Sequence, residues 1–136
     1  MLDLILMVRQ LRDVTFFKVT TRVLVLALMI AGAWVATRTL NFPETVEFND
    51  KVVHVIVFFG FALLMDLASS RHPFWLWKGL PLLAYGIVIE VMQYYSPDRS
   101  FSLLDWLADF SGVLLYFLSR YTLLWVASIQ SINDQQ

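Results

Sequence analysis

The sequence predicts an all-α membrane protein, a four-transmembrane-helix bundle preceded by an N-terminal interfacial helix. Three observations carry that prediction. Of 136 residues, 59% are hydrophobic and 15% charged, against about 45–50% and about 25% in soluble domains. Mean hydropathy is +0.67. Uncharged or nearly uncharged runs recur along the whole chain, so the apolar excess has no soluble core to fill. The chain has no cysteine, which excludes disulfide scaffolds, cysteine metal clusters and thiol catalysis. A net charge of −1 gives no reason to expect a nucleic-acid partner.

The elements follow in order. Residues 1–17, MLDLILMVRQLRDVTFF, are mildly amphipathic and suited to lie in the membrane interface; residues 18–136 make the bundle. A signal peptide is the competing reading of the N-terminus, because Ala31-Gly32-Ala33 imitates a cleavage site. That triplet lies in mid-run, however, and Asp3 and Asp13 stand where a basic region belongs. The first span runs from about Lys18 to Leu40. Its uncharged core between Arg22 and Arg38 has 15 residues, short of the about 20 needed to cross, so both arginines are expected to snorkel to the interfaces. The second span covers about Val52 to Ser69. The third, Phe74 to Tyr95, contains Pro81, which a membrane helix tolerates. The fourth starts near Leu103 and continues past Arg120, outrunning the bilayer or turning along its surface.

Orientation follows from the basic residues. With a cytoplasmic N-terminus, Arg9, Arg12, Lys18, Arg22, Arg71, Lys78 and Arg120 fall inside, and Arg38, Lys51 and Arg99 outside. That distribution predicts both termini in the cytoplasm. The start of span two, the end of span three and the start of span four then share the outer face.

Polar residues concentrate at those three places. Asp50 with His54, and Asp105 with Asp109, are four apart; Glu90 and Gln93 are three apart, so each pair shares a helix face. Gly86 and Gly112 fall on the faces of Glu90 and Asp109, where small residues let helices approach closely. Ser96-Pro97-Asp98 reads as a turn that brings Arg99 within reach of the carboxylates. Asp50, Glu90, Asp105 and Asp109 against Lys51 and Arg99 leave a formal −2 with His54 neutral. The imbalance calls for a protonated carboxyl, a charged His54, or a cation or cationic ligand.

Capping and interhelical hydrogen bonding are the structural readings of these residues. Intramembrane ionisable groups point instead to a binding site made of Asp50, Lys51, His54, Glu90, Gln93, Arg99, Asp105 and Asp109. No metal site is predicted, because such sites need several convergent donors besides His54. At the opposite end, Asp66 and Lys78 read as a structural pair across a loop. Trp34, Trp75, Trp77, Trp106, Trp125, Tyr94 and Tyr95 lie near the span ends and read as an aromatic belt.

The succession Asp50, Lys51, His54, then Glu90 and Gln93, then Pro97, Arg99, Ser102, Asp105 and Gly112 resembles the VanZ-like membrane proteins. The resemblance covers roughly residues 45 to 120. It differs at Asp109, where that family usually has Asn. It implies a small multi-pass protein of the bacterial inner membrane, connected with the envelope and with glycopeptide (teicoplanin) tolerance.

Three function classes follow. The first is an outward-facing pocket that binds or modifies the headgroup of an envelope lipid or cell-wall precursor. The second is a non-catalytic interaction protein with a membrane-protein partner, and the third a small proton-linked transporter. Carboxylates with a histidine are suited to acid–base chemistry. Against catalysis stands the lack of a nucleophile motif, a glycine-rich phosphate loop or an HExxH helix; the sequence leaves cofactors open.

Overall fold

A computed structural model describes residues 6, 7, 10, 14–38, 50–69, 72–96 and 101–133. Among them are four helical spans, each long and apolar enough to cross a membrane, and no strand. Helix α1 is Thr15–Ala36, α2 is Asp50–Ala68, α3 is Leu80–Tyr94 and α4 is Leu103–Asn133. A π-helical stretch, Trp75–Gly79, leads directly into α3. It places the wider turn just ahead of Pro81, whose missing N–H and ring disfavour a regular preceding turn. Most of the amphipathic segment 1–17 lies outside the described residues; Leu6, Met7 and Gln10 in it are helical and exposed.

The fourth span is one continuous helix of 31 residues, about 46 Å at 1.5 Å per residue against a hydrocarbon core of about 30 Å. It therefore outruns the bundle rather than turning. Its closest partner is α2, and glycine makes the approach possible. A Cβ added at Gly112 would run into the Val55 carbonyl oxygen and stand 3.0 Å from the Phe59 nitrogen. The expected role of Gly112 is thus met at backbone distance.

The core gathers Phe58, Phe61, Ala62, Phe74, Leu82, Leu83, Val113 and Tyr116. Outward faces remain apolar: Leu26, Ile30, Ile56 and Leu104 are all more than 60% exposed. Such faces would be a liability in water and suit hydrocarbon. Hydroxyls along the helices turn back onto their own backbone, as in Thr21 to Phe17 O, Ser111 to Leu107 O and Ser119 to Leu115 O. No polar partner outside the helix is then required.

Two expectations need correction here. Arg22 does not simply snorkel: its Nε donates to the Ala68 carbonyl at 3.2 Å, capping the C-terminus of α2, where a cation meets the negative end of the helix. Arg38, by contrast, lies over the Trp34 ring at 5.1 Å, as expected for an interface. The aromatic belt also loses two members. Trp75 packs among Phe74, Phe110 and Phe117, and Trp106 donates from its indole nitrogen to the Leu83 carbonyl at 3.1 Å. Both therefore belong to the bundle interior and its helix contacts, while Trp34, Trp77, Trp125, Tyr94 and Tyr95 are exposed.

Candidate functional site

The antiparallel run of the helices brings the start of α2, the end of α3 and the start of α4 together. Helix α4 is started by Ser102, whose hydroxyl accepts the Asp105 N–H at 3.2 Å, the bond of an N-cap residue. In a capping box the residue three positions on would reach back to the Ser102 N–H. Here Glu90 of α3 does so instead: its Oε2 accepts that N–H at 2.7 Å. Asp105 is thereby left to point elsewhere, and its Oδ1 stands 3.5 Å from Lys51 Nζ. That is an ion-pair distance but too long for a hydrogen bond.

One turn deeper, His54 Nδ1 and Asp109 Oδ1 are 2.7 Å apart. With Asp109 ionised its carboxylate only accepts, and Nδ1 then carries the proton and donates. Asp109 fits because Gly86 faces it: a Cβ there would sit 2.7 Å from Asp109 Oδ2. A ligating atom from each of Asp50, His54 and Asp105 lies within 4.8 Å of the others. Glu90 is within electrostatic range of Asp105, His54 and Asp109.

The predicted residues sort as follows. Asp50, Lys51, His54, Glu90, Asp105 and Asp109 are brought to one place. Gln93 is buried, but its amide donates to the Ala36 carbonyl at 3.3 Å and so ties α3 to the end of α1. Arg99 lies outside the described residues.

Burial makes the cluster costly. The side chains of Glu90 and Asp109 are fully buried, Asp105 is 13% exposed and Lys51 51%. Three buried carboxylate oxygens, Glu90 Oε1, Asp105 Oδ1 and Asp109 Oδ2, have no hydrogen-bond donor among the described residues. Buried polar groups are ordinarily paired, and an unpaired carboxylate oxygen marks a place where a donor or cation belongs.

The opposite end of the bundle provides the contrast. Asp66 pairs with the fully buried Lys78, accepts from the Tyr116 hydroxyl at 2.9 Å and from Arg120 Nε at 2.8 Å. Both of its oxygens are satisfied, by three partners from two helical elements, as a structural role requires. The sequence signalled the Asp66–Lys78 pair. Tyr116 and Arg120, four apart on one face of α4, complete it.

The fold and cluster define an apolar four-helix membrane-type bundle that is saturated with hydrogen bonds at one end and unsaturated at the other. Comparison with protein-family models, with curated proteins and with solved structures finds no match.

Proposed function

We propose that the protein is a VanZ-like protein of the bacterial inner membrane whose outward-facing pocket binds the polar headgroup of an envelope lipid or cell-wall precursor. The observation that carries this reading is the trio of buried carboxylate oxygens on Glu90, Asp105 and Asp109 that accept no hydrogen bond among the described residues. They call for a ligand rich in donors, such as an ammonium, amide or sugar hydroxyl group. Lys51 at the rim, half exposed, adds a point charge for a phosphate. With the basic residues distributed as they are, the pocket opens away from the cytoplasm and both termini lie within it.

Native mass spectrometry of the protein extracted with its own lipids tests the reading. Wild type should retain a bound species that Glu90→Gln and Asp105→Asn lose, while Ser119→Ala, a surface change, keeps it. Equal retention by all four proteins, or retention by none, would overturn the proposal.

A further inference from the structure

We infer that Asp50, His54 and Asp105 form a binding site for one divalent transition-metal ion of the zinc type, oriented by Asp109. This site goes beyond headgroup recognition and does not depend on it.

The donor set is the first argument. One imidazole nitrogen and two carboxylate oxygens lie within 4.8 Å of one another; donors on a tetrahedral ion at about 2.0–2.2 Å stand about 3.4 Å apart, a gap that the exposed Asp50 side chain can close on binding. Three protein ligands leave at least one position for water or another ligand, the arrangement of an open zinc site. Imidazole selects against magnesium and calcium, which take oxygen ligands.

The second argument is the state of the histidine. His54 Nδ1 stands 2.7 Å from Asp109 Oδ1; in the neutral tautomer with its proton on Nδ1, Nε2 keeps a lone pair for a metal, and metal binding itself displaces any second proton. A metal-bound histidine characteristically donates its other ring N–H to a carboxylate, which fixes tautomer and ring orientation. Asp109 is fully buried and seated against Gly86, so it holds the ring from behind with little freedom to move.

The third argument is the charge gathered around those ligands. Glu90 is fully buried, and it reaches the start of α4 at Ser102, three residues before Asp105. Among the described residues neither its Oε1 nor Asp105 Oδ1 accepts a hydrogen bond. Glu90 lies within electrostatic range of His54, Asp105 and Asp109, and an excess of carboxylates so close together is accounted for by a cation of more than one charge. Lys51 meets part of that demand, but at 3.5 Å without a hydrogen bond, and its exposed chain can swing clear when an ion enters.

The test uses full-length protein in detergent, stripped with a chelator and titrated calorimetrically with zinc chloride alone. Cobalt chloride serves as a spectroscopic probe of ligand geometry. Expected are one zinc per chain with a dissociation constant of about 10 μM or lower and a saturable rise in unfolding temperature. Asp50→Asn and Asp105→Asn should each weaken binding at least about tenfold. Asp109→Asn should weaken it about 10–100-fold as an outer-shell partner while leaving the cobalt absorption bands in place. His54→Gln should remove those bands. Asp50 lies at an exposed helix start, so Asp50→Asn keeps the test meaningful should deeper variants fail to fold. Absence of saturable binding below about 100 μM zinc would overturn the inference. So would affinity unchanged in folded Asp50→Asn and Asp105→Asn. Zinc binding and lipid retention are read by separate measurements, so either result stands without the other.

Discussion

Glu90→Gln and Asp66→Asn are the same chemical change made at opposite ends of one bundle, and their effects on stability should have different signs. Asp66 holds Lys78, Tyr116 and Arg120. Neutralising it removes the counter-charge from Lys78, which is fully buried. Stranding one member of a buried pair costs about 3–5 kcal/mol. Arg120, 20% exposed, can re-solvate and adds little. Glu90 differs: among the described residues its carboxylate has one bond, to the Ser102 N–H, and one oxygen that accepts none. A glutamine carbonyl can accept the same N–H. What is lost is the charge assistance, about 1 kcal/mol; what is gained is relief from burying an ion, several kcal/mol in effective terms. In ligand-free protein Glu90→Gln should therefore be neutral or stabilising. The two variants should differ by about 10 °C or more in unfolding temperature, at a few degrees per kcal/mol. Tryptophan fluorescence of detergent-solubilised protein, with Trp75 and Trp106 in the helix contacts, follows the transition. A loss in Glu90→Gln comparable to that in Asp66→Asn would refute the reasoning and make both clusters structural.

Two further predictions concern glycine and topology. Gly112→Ala should destabilise strongly, because its Cβ meets the α2 backbone at Val55. Gly86→Ala should cost less stability but displace Asp109, reducing zinc affinity more than unfolding temperature. A pair of equal stability losses would contradict the placement of Gly86. Reporter fusions should place residues 45 and 99 outside and residue 72 and the C-terminus inside; an extracytoplasmic residue 72 would reverse the orientation.

The spans were legible because apolar runs set by bilayer thickness survive any detail of packing. The polar cluster was legible in part for the same reason: charges inside such runs stand out, and helical spacing assigns them to faces. The capping of α4 by Glu90 was not legible, since it joins residues on different helices through a backbone N–H that has no sequence signature. Gln93 shares a face with Glu90 yet bonds to α1, because neighbours on one face need not meet the same helix. Trp75 and Trp106 were misassigned because a tryptophan near a span end looks alike whether its ring meets lipid or a neighbouring helix. Convergence of Asp50, His54 and Asp105 depended on how closely α2 approaches α4, and that was set by the depth to which Gly112 admits Val55.

The two ends are linked by a continuous pair of stripes. On α2, His54, Phe58, Ala62 and Asp66 recur every four residues; on α4, Asp105, Asp109, Gly112, Tyr116 and Arg120 recur every three or four. These are the spacings that keep side chains on one helix face. His54 meets Asp109 at one end, Gly112 closes on α2 in the middle, and Asp66 meets Tyr116 and Arg120 at the other. The saturated end and the close contact thus fix the spacing of the helices that carry Asp50, Lys51, His54, Asp105 and Asp109, as a preorganised site requires. Glu90 stands apart on α3 and touches α4 through Ser102. Damage at Asp66 should reach the pocket only by loosening the α2–α4 pair, whereas a change at Glu90 alters the pocket while that pair stays intact.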